Sequence, residues 1–130
     1  MADMPVPDLN GRRVLVVEDE FMVGIAICRE LESFGATIAG FCADVGNSLS
    51  CIDAASAIDL AIVDLNLGGD RSAPVVDALL DRGVPVILCT GYEASSVEDR
   101  FRSLPRCEKP FTRNAMVRQL KSLPTLGPIA

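Results

Sequence analysis

Side chains that handle phosphoryl groups or hard cations stand at the ends of successive short apolar runs in this chain. Glu18 and Asp19 follow the first such run, Asp64 and Thr90 end two later ones, and Lys109 follows a weaker last one. In an open parallel sheet all strands point the same way, so their carboxyl ends meet along the edge where such folds place their sites. If the runs are strands, these distant residues converge.

The acidic members of this set suit a magnesium ion. Glu18, Asp19 and Glu20 are consecutive, and Asp64 would lose hydration at the end of an apolar strand. Carboxylates held close together raise one another's pKa unless a cation is present. Oxygen ligands at a partly hydrated site favour Mg2+ over zinc or a soft metal. For the consecutive acids alone, the alternative is that they favour the N-terminus of the next helix.

Asp64 can also act as a nucleophile, because a carboxylate can attack phosphorus and hold the phosphoryl group as an acyl phosphate. Lys109 would supply a mobile positive charge, and Thr90 a hydroxyl donor, for the charge on the transferring oxygens. Taken singly, Thr90 is an ordinary β-branched strand residue and Lys109 a solvated charge before a proline. Their place at successive strand ends favours the functional interpretation.

The elements that must position these residues follow from the hydrophobic pattern. β-Branched runs alternate with segments at helical spacing, which predicts an α/β fold built of βα units around a parallel sheet. Five strands and five helices are expected. The strands are expected at 14–17, 37–42, 60–64, 84–90 and 106–108. The first helix is expected at 20–34 and the fourth at 95–104. The second is expected to begin at a cap, Asn47 or Ser48, the third to begin after Ser72, and the fifth to begin at a cap, Thr112 or Asn114.

Composition narrows the function classes. The chain has 130 residues, 49% of them hydrophobic, which suits one folded domain. No apolar stretch approaches the ~20 residues of a membrane span and no signal peptide is visible, so a cytoplasmic protein without a membrane partner is expected. A net charge of -6 with scattered basic residues disfavours nucleic acid. Five cysteines without a C-x-x-C pair are expected to be reduced and buried, and the lack of histidine excludes imidazole chemistry.

Four motifs together resemble the receiver domain of two-component response regulators: VLVVEDE, AIVDLNL, VILCTGY and EKPF, in this order. The likeness covers residues 13–123, with an N-terminal extension at 1–12 and a C-terminal tail at 124–130. It implies a doubly wound, flavodoxin-like sheet with strand order 2-1-3-4-5. It also implies a phosphoryl acceptor rather than an enzyme, with only self-catalysed phosphorylation and dephosphorylation, and a sensor histidine kinase or phosphotransfer protein as donor.

The resemblance also assigns roles to single residues. It makes Asp64 the phosphorylated aspartate, and Glu18 and Asp19 the acidic pair of a Mg2+ site that includes Asp64. It makes Asn66 a further ligand through its backbone carbonyl. A chain without histidine fits the receiving end of transfer from a phosphohistidine.

Two switch elements are carried over in the same way. By the resemblance, Thr90 corresponds to the switch hydroxyl of the family and Lys109 to its conserved-type lysine. Arg106 stands where many receivers carry an aromatic ring that rotates on phosphorylation. LCTGYE partly resembles the F-A-T-G-x-G-Y motif of single-domain alphaproteobacterial receivers, which makes Tyr92 the moving ring. The alternative for Tyr92 is a half-exposed loop ring packing on the last helix. If Tyr92 limits how water approaches the acyl phosphate, Tyr92→Ala is expected to shorten the phosphorylated lifetime.

Three other classes are weighed against this interpretation. A haloacid dehalogenase-type enzyme needs a second aspartate two residues after the first, where this chain has Asn66. A flavodoxin-like flavin carrier needs a Ser-, Thr- and Gly-rich loop where this chain has Glu-Asp-Glu. A pseudo-receiver serving only as an interaction surface would not need Asp19, Asp64, Thr90 and Lys109 together.

Output is expected through protein contacts. No DNA-binding element follows residue 123, so direct control of DNA is not expected. Receivers commonly use the surface that corresponds here to residues 95–123, and a downstream protein is expected to bind there. The alternative is a phosphate sink that competes for a kinase.

Overall fold

A computed structural model describes residues 7–91, 97–109 and 112–123, and the statements below concern these residues. Five of its seven strands form one parallel sheet in the order β2-β1-β3-β6-β7, and β4 and β5 form a separate antiparallel hairpin. With that hairpin set aside, the predicted order 2-1-3-4-5 is confirmed. The strands are β1 Arg13–Val17, β2 Thr37–Cys42, β3 Leu60–Asp64, β4 Asn66–Leu67, β5 Asp70–Arg71, β6 Val86–Thr90 and β7 Arg106–Glu108.

Helices cover both faces of the sheet. They are α1 Phe21–Ser33, α2 Val45–Ala54, α3 Ala73–Asp81 and α4 Arg113–Lys121. Alternate strand residues enter two cores: Val16 and Ile62 pack with α1 and α4, and Leu15 and Val63 pack with α2 and α3. The central strands β3 and β6 are buried along their whole length, which is why they are apolar on both faces. None of the described helices is long and apolar enough to cross a membrane.

The expected helix at 95–104 is wrong in the described part of the chain. Residues 95 and 96 lie outside the described residues, and the remainder forms only a 3-10 turn at Asp99–Phe101, which brings the described α-helices to four. Pro105 disfavours a helical conformation at Leu104, and the stretch before it is too short to offset the cost of helix nucleation. Phe101 is anchored by burial in the core instead.

Two boundaries also differ from the sequence-based expectations. Helix α2 is capped by Asp44 rather than by Asn47 or Ser48, since the Asp44 carboxylate accepts the backbone N–H of Asn47 at 2.7 Å. Ser48 lies within the helix and donates its hydroxyl to the Asp44 carbonyl at 2.6 Å. Strand β6 begins after Pro85 rather than at residue 84, since proline has no N–H for a sheet ladder.

Other helix starts match their predicted signals. Ser72 precedes α3, which carries proline in its first turn, and Thr112 caps α4 by accepting the backbone N–H of Ala115 at 3.1 Å. The two helices pack on opposite faces of the sheet.

Candidate functional site

The predicted strand ends meet at one edge of the sheet. Glu18 follows β1, Asp64 ends β3, Thr90 ends β6 and Lys109 follows β7. Asp64 lies beside the residue before Thr90 in the ladder, and the Lys109 amide donates to the Thr90 carbonyl at 2.7 Å. The parallel arrangement therefore gathers side chains that are up to 91 positions apart in sequence.

The Lys109 ammonium lies between two buried carboxylates. Its Nζ is 2.7 Å from Asp64 Oδ2, 3.0 Å from Glu18 Oε1 and 3.2 Å from Glu18 Oε2, and Glu20 Oε1 is further away at 3.8 Å. Burial acts to lower the pKa of Lys109, but its hydrogen bonds to Asp64 and Glu18 outweigh burial and raise that pKa. One cation therefore faces two carboxylates, and the cluster is short of positive charge.

Glu18 is the most deeply placed acid of the site. Its side chain has no exposed surface, and burial raises its pKa from the ordinary 4.5 to about 7. The nearby charge of Asp64 adds to this rise, while the Glu20 amide, which donates to Oε2 at 3.1 Å, and Lys109 oppose it. Oε1 lies within ion-pair range of the ammonium but accepts no hydrogen bond from the described residues. A buried carboxylate oxygen thus stays open to a further positive partner.

A hard cation fits the oxygens beside this open position. Carboxylate oxygens of Glu18, Asp19 and Glu20 lie within 4.8 Å of one another, and the last two side chains are exposed to solvent. A site with oxygen donors only, open to water on one side, suits Mg2+. The sequence-based ligand set placed Asp64 here and left Glu20 out. In the structure Asp64 contacts Lys109, and Glu20 belongs to the acidic group.

The β4–β5 hairpin connects Asp64 with Asp19. The backbone N–H of Asn66 donates to Asp64 Oδ1 at 3.3 Å, and that of Gly68 donates to Asp19 Oδ2 at 2.9 Å. Asn66 Oδ1 accepts the Gly69 N–H at 3.2 Å, which closes the turn. Gly68 has φ +62, a conformation that glycine adopts without the cost of a Cβ. The sequence alone did not indicate a role for the Gly68 amide, and the carbonyl role of Asn66 stays a prediction.

The hydroxyl of Thr90 lies at the carboxyl end of β6. Its side chain is fully buried, and Oγ1 has no hydrogen-bond partner among the described residues. Leaving a buried hydroxyl unpaired is costly, so such a group is a natural donor for a ligand that arrives at the edge. Arg106 is exposed on β7, beside Leu88 of β6. The proposed moving ring, Tyr92, lies outside the described residues.

Solved structures similar to this chain are reported for SdrG and for PhyR. The solution structure of SdrG from Sphingomonas melonis Fr1 has 34% identity and a TM-score of 0.77, covering 92% of this chain and 98% of that one. The PhyR response regulator REC domain from Erythrobacter litoralis has 25% identity and a TM-score of 0.78, covering 94% and 98%. A BeF3-activated conformation of SdrG from Pseudomonas melonis Fr1 has 34% identity and a TM-score of 0.72, covering 85% and 93%.

These likenesses, together with the fold and its carboxyl-edge residues, define the class. The chain belongs to the receiver-domain family of response regulators. No protein-family model and no curated protein matches the sequence.

Proposed function

We propose that this protein accepts a phosphoryl group on Asp64 with the help of Mg2+. The observation that carries the proposal is the environment of that carboxylate. Asp64 is almost fully buried, and one of its oxygens lies 2.7 Å from the Lys109 ammonium. Among the described residues, the other oxygen accepts one long hydrogen bond, from the Asn66 amide at 3.3 Å. One oxygen is therefore held and neutralised while the other remains available to attack phosphorus.

The transfer involves one bond formed and one broken. Asp64 Oδ1 attacks the phosphorus, the new O–P bond forms, and the bond from phosphorus to a donor nitrogen breaks. The donor imidazole keeps the electron pair of that bond, so a phosphohistidine of a sensor kinase or phosphotransfer protein is the fitting donor class. Lys109 stays near the reacting group and offsets the charge that develops on the phosphoryl oxygens.

Glu18 and Asp19 would hold the Mg2+ with Asp64 and the backbone carbonyl of Asn66, and exposed Glu20 is a further candidate ligand. When bound, the ion supplies positive charge next to the phosphoryl oxygens. Glu18 Oε1 supports this assignment, because it is buried and, among the described residues, has an ion pair with Lys109 but no hydrogen bond. We assign the buried hydroxyl of Thr90, which has no partner among the described residues, to donate to a phosphoryl oxygen on Asp64, so that Thr90 would respond to the modification.

Ion pairs join the site to the segment that follows β6. Arg71 of the hairpin pairs with Glu98 at 2.9 Å, and Arg100 forms two hydrogen bonds with Asp77 of α3 at 3.1 and 2.9 Å. A change at the hairpin can therefore reach the surface at residues 95–123, where we place contact with a downstream protein. The other output that fits is a phosphate sink, in which the protein competes for the phosphoryl groups of a kinase. We propose no catalytic turnover of a separate substrate, and we place the protein in the cytoplasm.

We assign the chain to the single-domain subgroup with an F-A-T-G-x-G-Y-type motif, and the match to SdrG, which covers 98% of that chain, supports the single-domain part of this assignment. In that assignment Tyr92 takes the role of the ring that Arg106 replaces. Tyr92→Ala is then expected to shorten the lifetime of the acyl phosphate, which the decay of labelled phosphate measures. An unchanged decay would remove the idea.

Phosphorylation by a small donor tests the proposal. The protein is incubated with Mg2+ and acetyl phosphate, and its intact mass is measured. One phosphoryl adduct is expected, lost in Asp64→Asn and in EDTA but kept in Asp81→Asn, a matched control at an exposed aspartate on α3. Because SdrG has a BeF3-activated conformation, Mg2+ with BeF3 should also shift the amide resonances near Thr90. No adduct with acetyl phosphate or a kinase, and no BeF3 response, would leave a pseudo-receiver.

A further inference from the structure

Two of the five cysteines do not match the expectation of buried thiols. Cys28, Cys89 and Cys107 are buried, but Cys42 at the end of β2 and Cys51 in α2 are only partly buried. All five are free thiols. Cys42 and Cys51 therefore form a group of their own, beside the acidic edge of the sheet.

Helix α2 places the Cys51 sulfur directly over strand β2. Gly40 and Cys42 are two positions apart on this strand, so they point to the same face. A Cβ built on Gly40 would lie 2.6 Å from Cys51 Sγ, which shows that the missing side chain is the space the sulfur occupies. Cys51 and Ser48 of α2 are near enough to the Cys42 thiol to influence its pKa. The two thiols are thus neighbours across the strand–helix contact.

We propose that Cys42 and Cys51 form a dithiol site that a hydroperoxide oxidises to an intramolecular disulfide. The proposal goes beyond phosphoryl transfer and does not depend on it. The site also lies one hydrogen bond from the acidic cluster, because the Cys42 carbonyl accepts the backbone N–H of Glu18 at 2.9 Å.

The chemistry proceeds in two displacements. Cys51 is assigned the first attack and Cys42 the second; both thiols are only partly buried, and either order gives the same disulfide. The Cys51 thiolate attacks a peroxide oxygen, the O–O bond breaks, and a sulfenic acid forms with release of hydroxide or alkoxide. Cys42 then attacks that sulfur and loses its proton, the S–O bond breaks, and water leaves. The peroxide gains the two electrons that the thiols lose.

Oxidation of the folded protein tests the site. After treatment with hydrogen peroxide, the monomer should lose two hydrogens in mass, and two of its five thiols should fail to react with iodoacetamide in denaturant. Dithiothreitol should restore both. A protease that cuts on the amino side of aspartate separates the two cysteines at Asp44, so a linked pair of peptides identifies the bond.

Variants distinguish a disulfide between Cys42 and Cys51 from oxidation at other cysteines. Cys42→Ser and Cys51→Ser should each abolish the loss of two hydrogens, while Cys28→Ser, a buried control, should leave it unchanged. Gly40→Ala should lower the disulfide yield, since its methyl group displaces the Cys51 sulfur, and circular dichroism of each variant shows whether it is folded. A bond to any other cysteine, a disulfide that forms only in denaturant, or sulfinic acid on Cys51 without a bond would overturn the proposal.

Discussion

Replacing Lys109 by methionine should destabilise the protein in the absence of Mg2+. The substitution keeps most of the apolar stem but leaves Glu18 and Asp64 buried without the cation that lies 2.7–3.2 Å from their oxygens. Removing one partner of a buried ion pair costs roughly 3–5 kcal/mol. Because the Lys109 side chain keeps 20% of its surface exposed, water can partly replace it. We expect the lower end, about 3 kcal/mol, or a fall in Tm on the order of 10 °C.

Urea denaturation in EDTA at pH 8 measures this loss. The matched control is Lys121→Met on the exposed end of α4, which should change the free energy of unfolding by less than about 0.5 kcal/mol. A double-mutant cycle isolates the contact. In a Glu18→Gln background the cost of Lys109→Met should shrink by about 1–3 kcal/mol, since only one buried carboxylate then loses its cation. Equal losses for both lysines, or no coupling between Lys109 and Glu18, would refute this account of the cluster.

Three other measurements probe the structure. Burial raises the pKa of folded Glu18 to about 7, so between pH 4.5 and 7 the folded protein keeps a proton that the unfolded chain has released. The free energy of unfolding in EDTA should therefore fall as pH rises from about 4.5 to about 7. The same slope in Glu18→Gln would count against this explanation. Gly24→Ala should lower the free energy of unfolding by about 1–3 kcal/mol, because its methyl group overlaps the Phe41 ring. In a Phe41→Ala background the same substitution should raise that free energy by about 0.5–1 kcal/mol, as urea denaturation measures. A loss of stability in both backgrounds would contradict the contact. Asp44→Ala should lower the free energy of unfolding by about 1 kcal/mol and Asn47→Ala by only a few tenths, and the reverse order in thermal melts would restore the cap predicted from sequence.

The sheet was predictable because its strands are marked by apolar runs. The bounds of β2 and β3 coincide with those runs, and β7 lies at its predicted bounds although its sequence is Arg-Cys-Glu. The gathering of Asp64 and Lys109 follows from parallel strand ends meeting at one edge. Local signals failed where several residues could play the same part. Asp44 and Asn47 are both good caps, and the sequence does not say which turn begins the helix.

The internal order of the site depends on packing that no local pattern records. Three consecutive acids are equivalent in the sequence, yet only Glu18 points into the protein, while Asp19 is held at the surface by the Gly68 amide. The place of the Cys51 sulfur over β2 likewise depends on Gly40, where a Cβ would lie 2.6 Å from that sulfur. Tertiary contacts decide which of these side chains are buried. Residue types were therefore enough to propose the metal ligands, but they did not show that one Lys109 ammonium contacts both Glu18 and Asp64.

The position of the acyl phosphate in the chain decides whether Asp64 is the phosphoryl acceptor. After phosphorylation with acetyl phosphate and Mg2+, sodium borohydride reduces an aspartyl phosphate to homoserine, which peptide mass spectrometry locates. We predict homoserine at position 64 alone, absent when Mg2+ is replaced by EDTA. Homoserine at Asp19 or any other aspartate, or none in protein that carries the adduct, would contradict the claim that Asp64 is the phosphoryl acceptor.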